Sequence, residues 1–159
     1  MLHKFAFLVL VLFSPALVHA ASFSSEYEQV RRDKNIQCQQ QKFEKGYKKY
    51  GMKVGSLWVC KERNDSVQLY ISEQDDHPGH LKRIYLKTER ANGQEFTGRQ
   101  RMLVQAVLKH YEPQHYKALA ADLLSCKKKS WSSASYRYEF DCYSGATIRS
   151  NTVFLYPLR

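Results

Sequence analysis

Two periodicities dominate the chain, and they change places several times. Over residues 24–50 the apolar positions Ile36, Phe43, Tyr47 and Tyr50 recur at spacings of seven, four and three, which is the helical period. Ser24 and Ser25 offer a capping hydroxyl, and Glu26 and Glu28 place acids near the positive end of the helix dipole. Gly51 stands where a helix end takes glycine. A helix from about Ser24 to Tyr50 is therefore expected. Cys38 falls off the stripe, so either the helix kinks near Asp33–Asn35 or the cysteine faces a second neighbour.

The period then shortens to two. Leu57 to Lys61 and Val67 to Ile71 read as strands joined by the polar turn Arg63-Asn64-Asp65. Val67, Leu69 and Ile71 alternate with Gln68, Tyr70 and Ser72, so one face is buried and one is wet. A polar loop from Glu73 to Gly79 leads to a third strand near Leu81–Lys87, and Asn92-Gly93 breaks the chain again.

Helical spacing returns after Thr97, which with Gln100 has the spacing of a capping box. Met102, Leu103, Ala106, Val107 and His110 mark the expected apolar face. Pro113 is the expected start of the next helix, with Tyr116, Leu119, Ala120, Leu123 and Leu124 on one side. Lys127, Lys128 and Lys129 fall at its end, where positive charge complements the dipole. Last comes a hairpin: Tyr136, Tyr138, Phe140 and Cys142 alternate with Arg137, Glu139, Asp141 and Tyr143. Ser144-Gly145 turns, and Ala146 to Tyr156 returns. The order α-βββ-αα-ββ with short links predicts an α+β fold: an antiparallel sheet of about five strands packed with about three helices. No repeat or linker divides residues 21–159, so they are read as a single domain.

Residues 1–20 do not fit either period. Lys4 precedes an apolar run, and Val18-His19-Ala20 has the small-residue pattern of a cleavage site. This is the layout of a secretory signal peptide, too short to span a bilayer. No transmembrane segment is expected in the mature chain, and the expected address is periplasmic or extracellular. The four cysteines, Cys38, Cys60, Cys126 and Cys142, agree with it, since exported thiols usually pair. Of three connectivities, Cys38–Cys60 and Cys126–Cys142 close the short loops and are the ones expected. No C-x-x-C spacing suggests zinc.

Composition adds a sign. Among 159 residues, 25 Lys and Arg stand against 15 Asp and Glu, a formal charge of +10. Loss of residues 1–20 removes only Lys4 from that excess. Basic residues with interleaved tyrosines suit an anionic partner. No zinc finger, RNP pattern or helix-turn-helix is present, so nucleic acid is not the expected one.

Candidate chemistry is sparse. Asp76, His77 and His80 sit together on the loop over residues 75–80 and are the candidate metal ligands, although Asp, Pro and Gly also suit a plain turn. His110 and His115 flank Tyr111-Glu112-Pro113 and are the candidate acid–base residues of a small secreted hydrolase or nuclease. HExxH, G-x-S-x-G and a glycine-rich phosphate loop are all absent. The sequence therefore points to an exported, non-enzymatic binding protein without a cofactor. An inhibitor or immunity-type protein engaging an acidic protein or another anionic envelope component fits size and charge. Tyr70, Lys82, Arg83, Tyr85, Lys87, Arg137 and Tyr143 are the candidate contacts, because they fall opposite the inferred core positions and Tyr and Arg are enriched at interface hot spots. The alternatives are the hydrolase using His110 and His115, and an envelope accessory protein holding a metal at residues 75–80.

Overall fold

A computed structural model describes residues 22–158; the expected leader over residues 1–20 lies outside them. Its elements are α1 (Phe23–Arg32), β1 (Gln40–Glu44), β2 (Tyr47–Lys49), β3 (Met52–Val54), β4 (Leu57–Lys61), β5 (Val67–Glu73), β6 (Leu81–Ala91), α2 (Gly98–Tyr111), α3 (Tyr116–Leu124), β7 (Ser130–Ser132), β8 (Tyr136–Ser144) and β9 (Ile148–Pro157). Seven strands form one antiparallel sheet in the order β1-β4-β5-β6-β9-β8-β7, and β2 and β3 form a separate pair. The fold is α+β, with more strands than the five expected.

The largest departure from the sequence reading lies in residues 33–54. The helix stops at Arg32 instead of running to Tyr50. Asp33 ends it by turning its carboxylate onto the Asn35 backbone N–H at 2.8 Å, an alternative to continuing the helical ladder. The residues that made the helical stripe then scatter. Ile36 enters the core, Phe43 lies on edge strand β1, and Tyr47 and Tyr50 lie on the β2–β3 hairpin. Gly51 is no helix terminator. With Tyr50 it forms a two-residue turn at φ 51° and 80°, the left-handed pair whose twist suits a hairpin.

All three helices cover one face of the sheet: α1 and α2 pack on β5, α1 also on β6, and α3 on β9. The face beneath them carries Trp58, Cys60, Leu69, Ile71, Ile84, Leu86, Tyr138, Phe140, Val153 and Leu155, all buried. Thr97 and Gln100 complete the expected capping box of α2. The buried side of α2 is Leu103, Val104, Val107, Leu108 and Tyr111, so the expected stripe was rotated by about one position. Met102 is 68% exposed. Pro113 does not start α3. It lies in the turn between Glu112, which caps α2, and His115, which caps α3.

Both expected disulfides are present, Cys38–Cys60 and Cys126–Cys142. Cys38 lies between α1 and β1 rather than on a helix. Cys126 follows α3 at φ 61°. Its N–H reaches the Leu123 carbonyl, and the Lys127 N–H reaches that of Asp122. This is a Schellman closure with cysteine where glycine is usual.

One buried charge ties α1 to the rest. Glu26 is 6% exposed, and the Tyr136 hydroxyl donates to its carboxylate at 3.2 Å. Burial raises the Glu26 pKa against the pull of the neighbouring Tyr111, Tyr136 and His110 groups. An acid whose pKa is raised by folding weakens the fold as pH climbs through the ordinary carboxyl range near 4 and above. Glu26→Gln should therefore stabilise the protein by about 1 kcal/mol at neutral pH. Paired urea titrations should show that gain disappear below about pH 4; a loss of stability at neutral pH would refute the assignment.

Candidate functional site

Among the described residues no helix lies over the other face of the sheet, and β-strand alternation decides what stands there. Tyr70, Tyr85 and Phe154 lie in one cross-strand row on β5, β6 and β9. Tyr70 stacks on Tyr85 with ring centroids 4.3 Å apart and planes 9° from parallel. Tyr85 meets Phe154 at 5.8 Å, and Phe154 meets Tyr156 at 6.3 Å. Arg83 lies over both Tyr85 and Phe154, 5.5 and 5.4 Å from the two centroids. Arg137 lies 5.0 Å over Tyr156. The result is a continuous aromatic strip across β5, β6 and β9, with the Arg83 and Arg137 guanidinium groups laid over its rings.

Arg83 is the distinctive group. Its Nε is buried and has no hydrogen-bond partner. Among the described residues it forms no ion pair, whereas its neighbours do. Lys87 pairs with Glu89 at 2.7 Å, and Arg137 with Glu139 at 3.1 Å. Same-face neighbours on a strand are two residues apart, so these pairs form along β6 and β8. The face is consequently less basic than the composition suggests. Among the described residues it is aromatic, largely charge-balanced, and carries one unpaired cation. The Tyr70 and Tyr85 phenols stay neutral at physiological pH. Burial and the adjacent Tyr85 push Tyr70 up to about 12, and burial also raises Tyr85 although Arg83 pulls it down. The Tyr70 hydroxyl donates to Gln68, whose amide is anchored on the Asp65 carbonyl.

Of the candidate contacts, Tyr70, Arg83, Tyr85 and Arg137 thus come together, with Lys87 beside them. Lys82 does not join. It sits at the bulge between Arg83 and Leu81 and pairs with Asp75. Tyr143 shares the face and is 66% exposed. It lies four residues along β8 from Glu139, which is roughly 13 Å away. Phe154 and Tyr156 were missed. Their signal is in the run Val153-Phe154-Leu155-Tyr156, where both faces of a strand are apolar.

The residues of the alternative sites make contacts that join elements of the fold. His110 Nδ1 meets Asp33 Oδ2 at 2.9 Å, joining α2 to the end of α1. Burial works to raise Asp33, but hydrogen bonds from Asn35 and His110 outweigh it and lower its pKa. His115 Nδ1 meets Glu112 Oε1 at 2.9 Å, and its ring rests on Trp131. The two histidines therefore serve different carboxylates. His77 and His80 face each other at 6.1 Å between ring centroids, yet among the described residues no three His, Cys, Asp or Glu converge as a metal cluster. The same loop instead ties down β4. Glu73 accepts from the Ser56 and Gly79 N–H groups, and Asp75 from the Gly55 N–H. Among the described residues, no helix is long and apolar enough to cross a membrane. Comparison with known proteins matches the chain to no family model, no curated protein and no solved structure.

Proposed function

We propose that this chain is an exported, non-enzymatic binding protein of the periplasm or extracellular space, which docks an acidic patch of a partner protein on its uncovered sheet face. One observation carries the reading: a guanidinium with a buried, unpartnered Nε lies over two rings on a face that no helix among the described residues covers. An orphaned buried donor is costly unless a ligand completes it. An Arg–carboxylate pair on a dry aromatic floor is the chemistry of an interface hot spot. The signal-like leader and the two disulfides support the address, and an inhibitor or immunity-type role fits the size.

The test is retention of envelope proteins by the immobilised mature protein, followed by titration of the captured partner. Arg83→Ala should raise Kd about 30-fold, the usual effect of losing one hot-spot arginine. Equal affinity for wild type and Arg83→Ala would overturn the reading, as would no retained protein at either low or high salt.

A further inference from the structure

The basic excess missing from the sheet face lies in part on the β2–β3 hairpin. Residues 45–54 contain Lys45, Lys48, Lys49 and Lys53 and no acid. Lys48 and Lys53 are directly opposite each other across the pair. Like charges in that register repel, and among the described residues Lys45, Lys48 and Lys53 form no ion pair. The lysines that flank the hairpin are different: Lys42 pairs with Glu44, and Lys82 with Asp75.

The hairpin is also apolar at its end. Tyr47 is 57% exposed, Tyr50 at the turn 88%, and Met52 67%. Tyr47 and Val54 share the face opposite Lys48 and Lys53. Its base is fixed. A Cβ on Gly55 would lie 2.4 Å from the Glu73 carbonyl oxygen, and the Gly46 N–H donates to Ser56 Oγ. The two acids that line the cleft beside the hairpin are already engaged, Glu73 by backbone N–H groups and Asp75 by Gly55 and Lys82. Asp76 does not line the cleft of about 420 Å³ between hairpin and loop.

We infer that the β2–β3 hairpin is a membrane-surface arm that docks tip-first on an anionic phospholipid bilayer. The turn lies about two residues beyond the Lys48–Lys53 pair, roughly 7 Å at the strand rise. That matches the polar layer on each side of the hydrocarbon core, roughly 5–7 Å thick. With Lys48 and Lys53 at the level of the phosphates, Tyr50 at the turn reaches the acyl boundary, where an amphipathic tyrosine is favoured, and Met52, one residue beyond Lys53, lies in the polar layer above it. A convex tip meets a flat polyanion without needing a complementary cavity. A nucleic-acid reader would instead need a groove or a stacking platform. This inference concerns a different surface from the sheet face and stands or falls separately.

The test is co-sedimentation of the mature protein with vesicles of phosphatidylcholine, with and without one-third phosphatidylglycerol. Wild type should partition onto the anionic vesicles only, and added salt should weaken the binding. Lys48→Gln/Lys53→Gln should lower partitioning roughly 25-fold, about five-fold per lysine. Lys34→Gln/Lys117→Gln, which removes the same charge elsewhere, should lower it far less. Tyr50→Ser/Met52→Ser should also reduce binding while leaving its salt dependence intact. These side chains lie outside the core, so far-UV circular dichroism should verify that every variant is folded. Equal losses from the two lysine pairs would overturn the inference, as would no uptake by anionic vesicles. Retention on DNA or polyglutamate without vesicle uptake would reassign the arm and overturn it too.

Discussion

Replacing Cys38 and Cys60 together by alanine lowers the unfolding free energy by about 3 kcal/mol. The bridge closes 22 residues of chain, and loop-closure entropy for that length gives about 3 kcal/mol at room temperature. Cys60 is fully buried, opposite Leu69 and among core side chains, so the truncation also leaves a small void. The bridge does a second thing. Edge strand β1 is exposed along its whole length and pairs only with β4. Without the covalent tie, β1 is held by its pairing with β4 and by the packing of Phe43 on Phe23 and Tyr27, and the segment leading to it by Ile36 in the core. Urea unfolding should show a lower midpoint, and hydrogen exchange should show β1 opening ahead of the central strands. A change below about 1 kcal/mol, with β1 still protected, would contradict this account.

The second large effect belongs to Tyr138. It is fully buried on β8, with its ring 5.0 Å from that of Trp131 and 6.5 Å from that of Tyr136. Leu155 stands opposite it on β9. Truncation to alanine should cost about 4 kcal/mol, the range for a large aromatic lost from a core. The hydroxyl matters much less, because its contact with the Tyr111 carbonyl is long, at 3.5 Å. Tyr138→Phe should therefore cost less than about 1 kcal/mol. Thermal melts of the two variants separate ring from hydroxyl; similar losses in both would show that the hydroxyl carries the stability. The alanine variant should also weaken partner binding, since Arg137, beside Tyr138, reaches over Tyr156 on the opposite face.

How far the fold can be read from the chain depends on whether a strand has one dry face. Strands β5, β6 and β8 do, and their alternation is plain, whereas β4 and β9 carry apolar residues on both faces. Strands β1 and β7 are edge strands with mostly wet side chains, so no period-two contrast marks them. Around β1 the apolar residues fell by chance at helical spacing and produced a long helix on paper. The deciding fact was the turn at Asp33, a single side chain competing with the backbone. The cysteine pairs were legible because short loops close most readily. The aromatic strip was half legible. Tyr70 and Tyr85 alternate with core residues, but only the register of β6 against β9 brings Phe154 beside Tyr85. The charge balance of the face was visible in principle as Lys87 with Glu89 and Arg137 with Glu139. Each pair is two apart, which means one side of a strand. The His110–Asp33 contact joins residues 77 apart in sequence, and no local pattern encodes it.

The closure of α3 has a consequence for when the protein becomes whole. Cys126 holds a left-handed backbone that costs a side-chain-bearing residue roughly 1–2 kcal/mol. While its sulfur is a thiol, nothing covalent opposes that cost. The last turn of α3 would then compete with frayed forms in which Lys127 and Lys129 leave Asp122. Once the sulfur joins Cys142, strand β8 holds the turn in place. The corner where α3 meets the β8–β9 hairpin is therefore conditional on oxidation. A fully reduced chain would lack this latch together with the Cys38–Cys60 tie of β1, and oxidation would complete both.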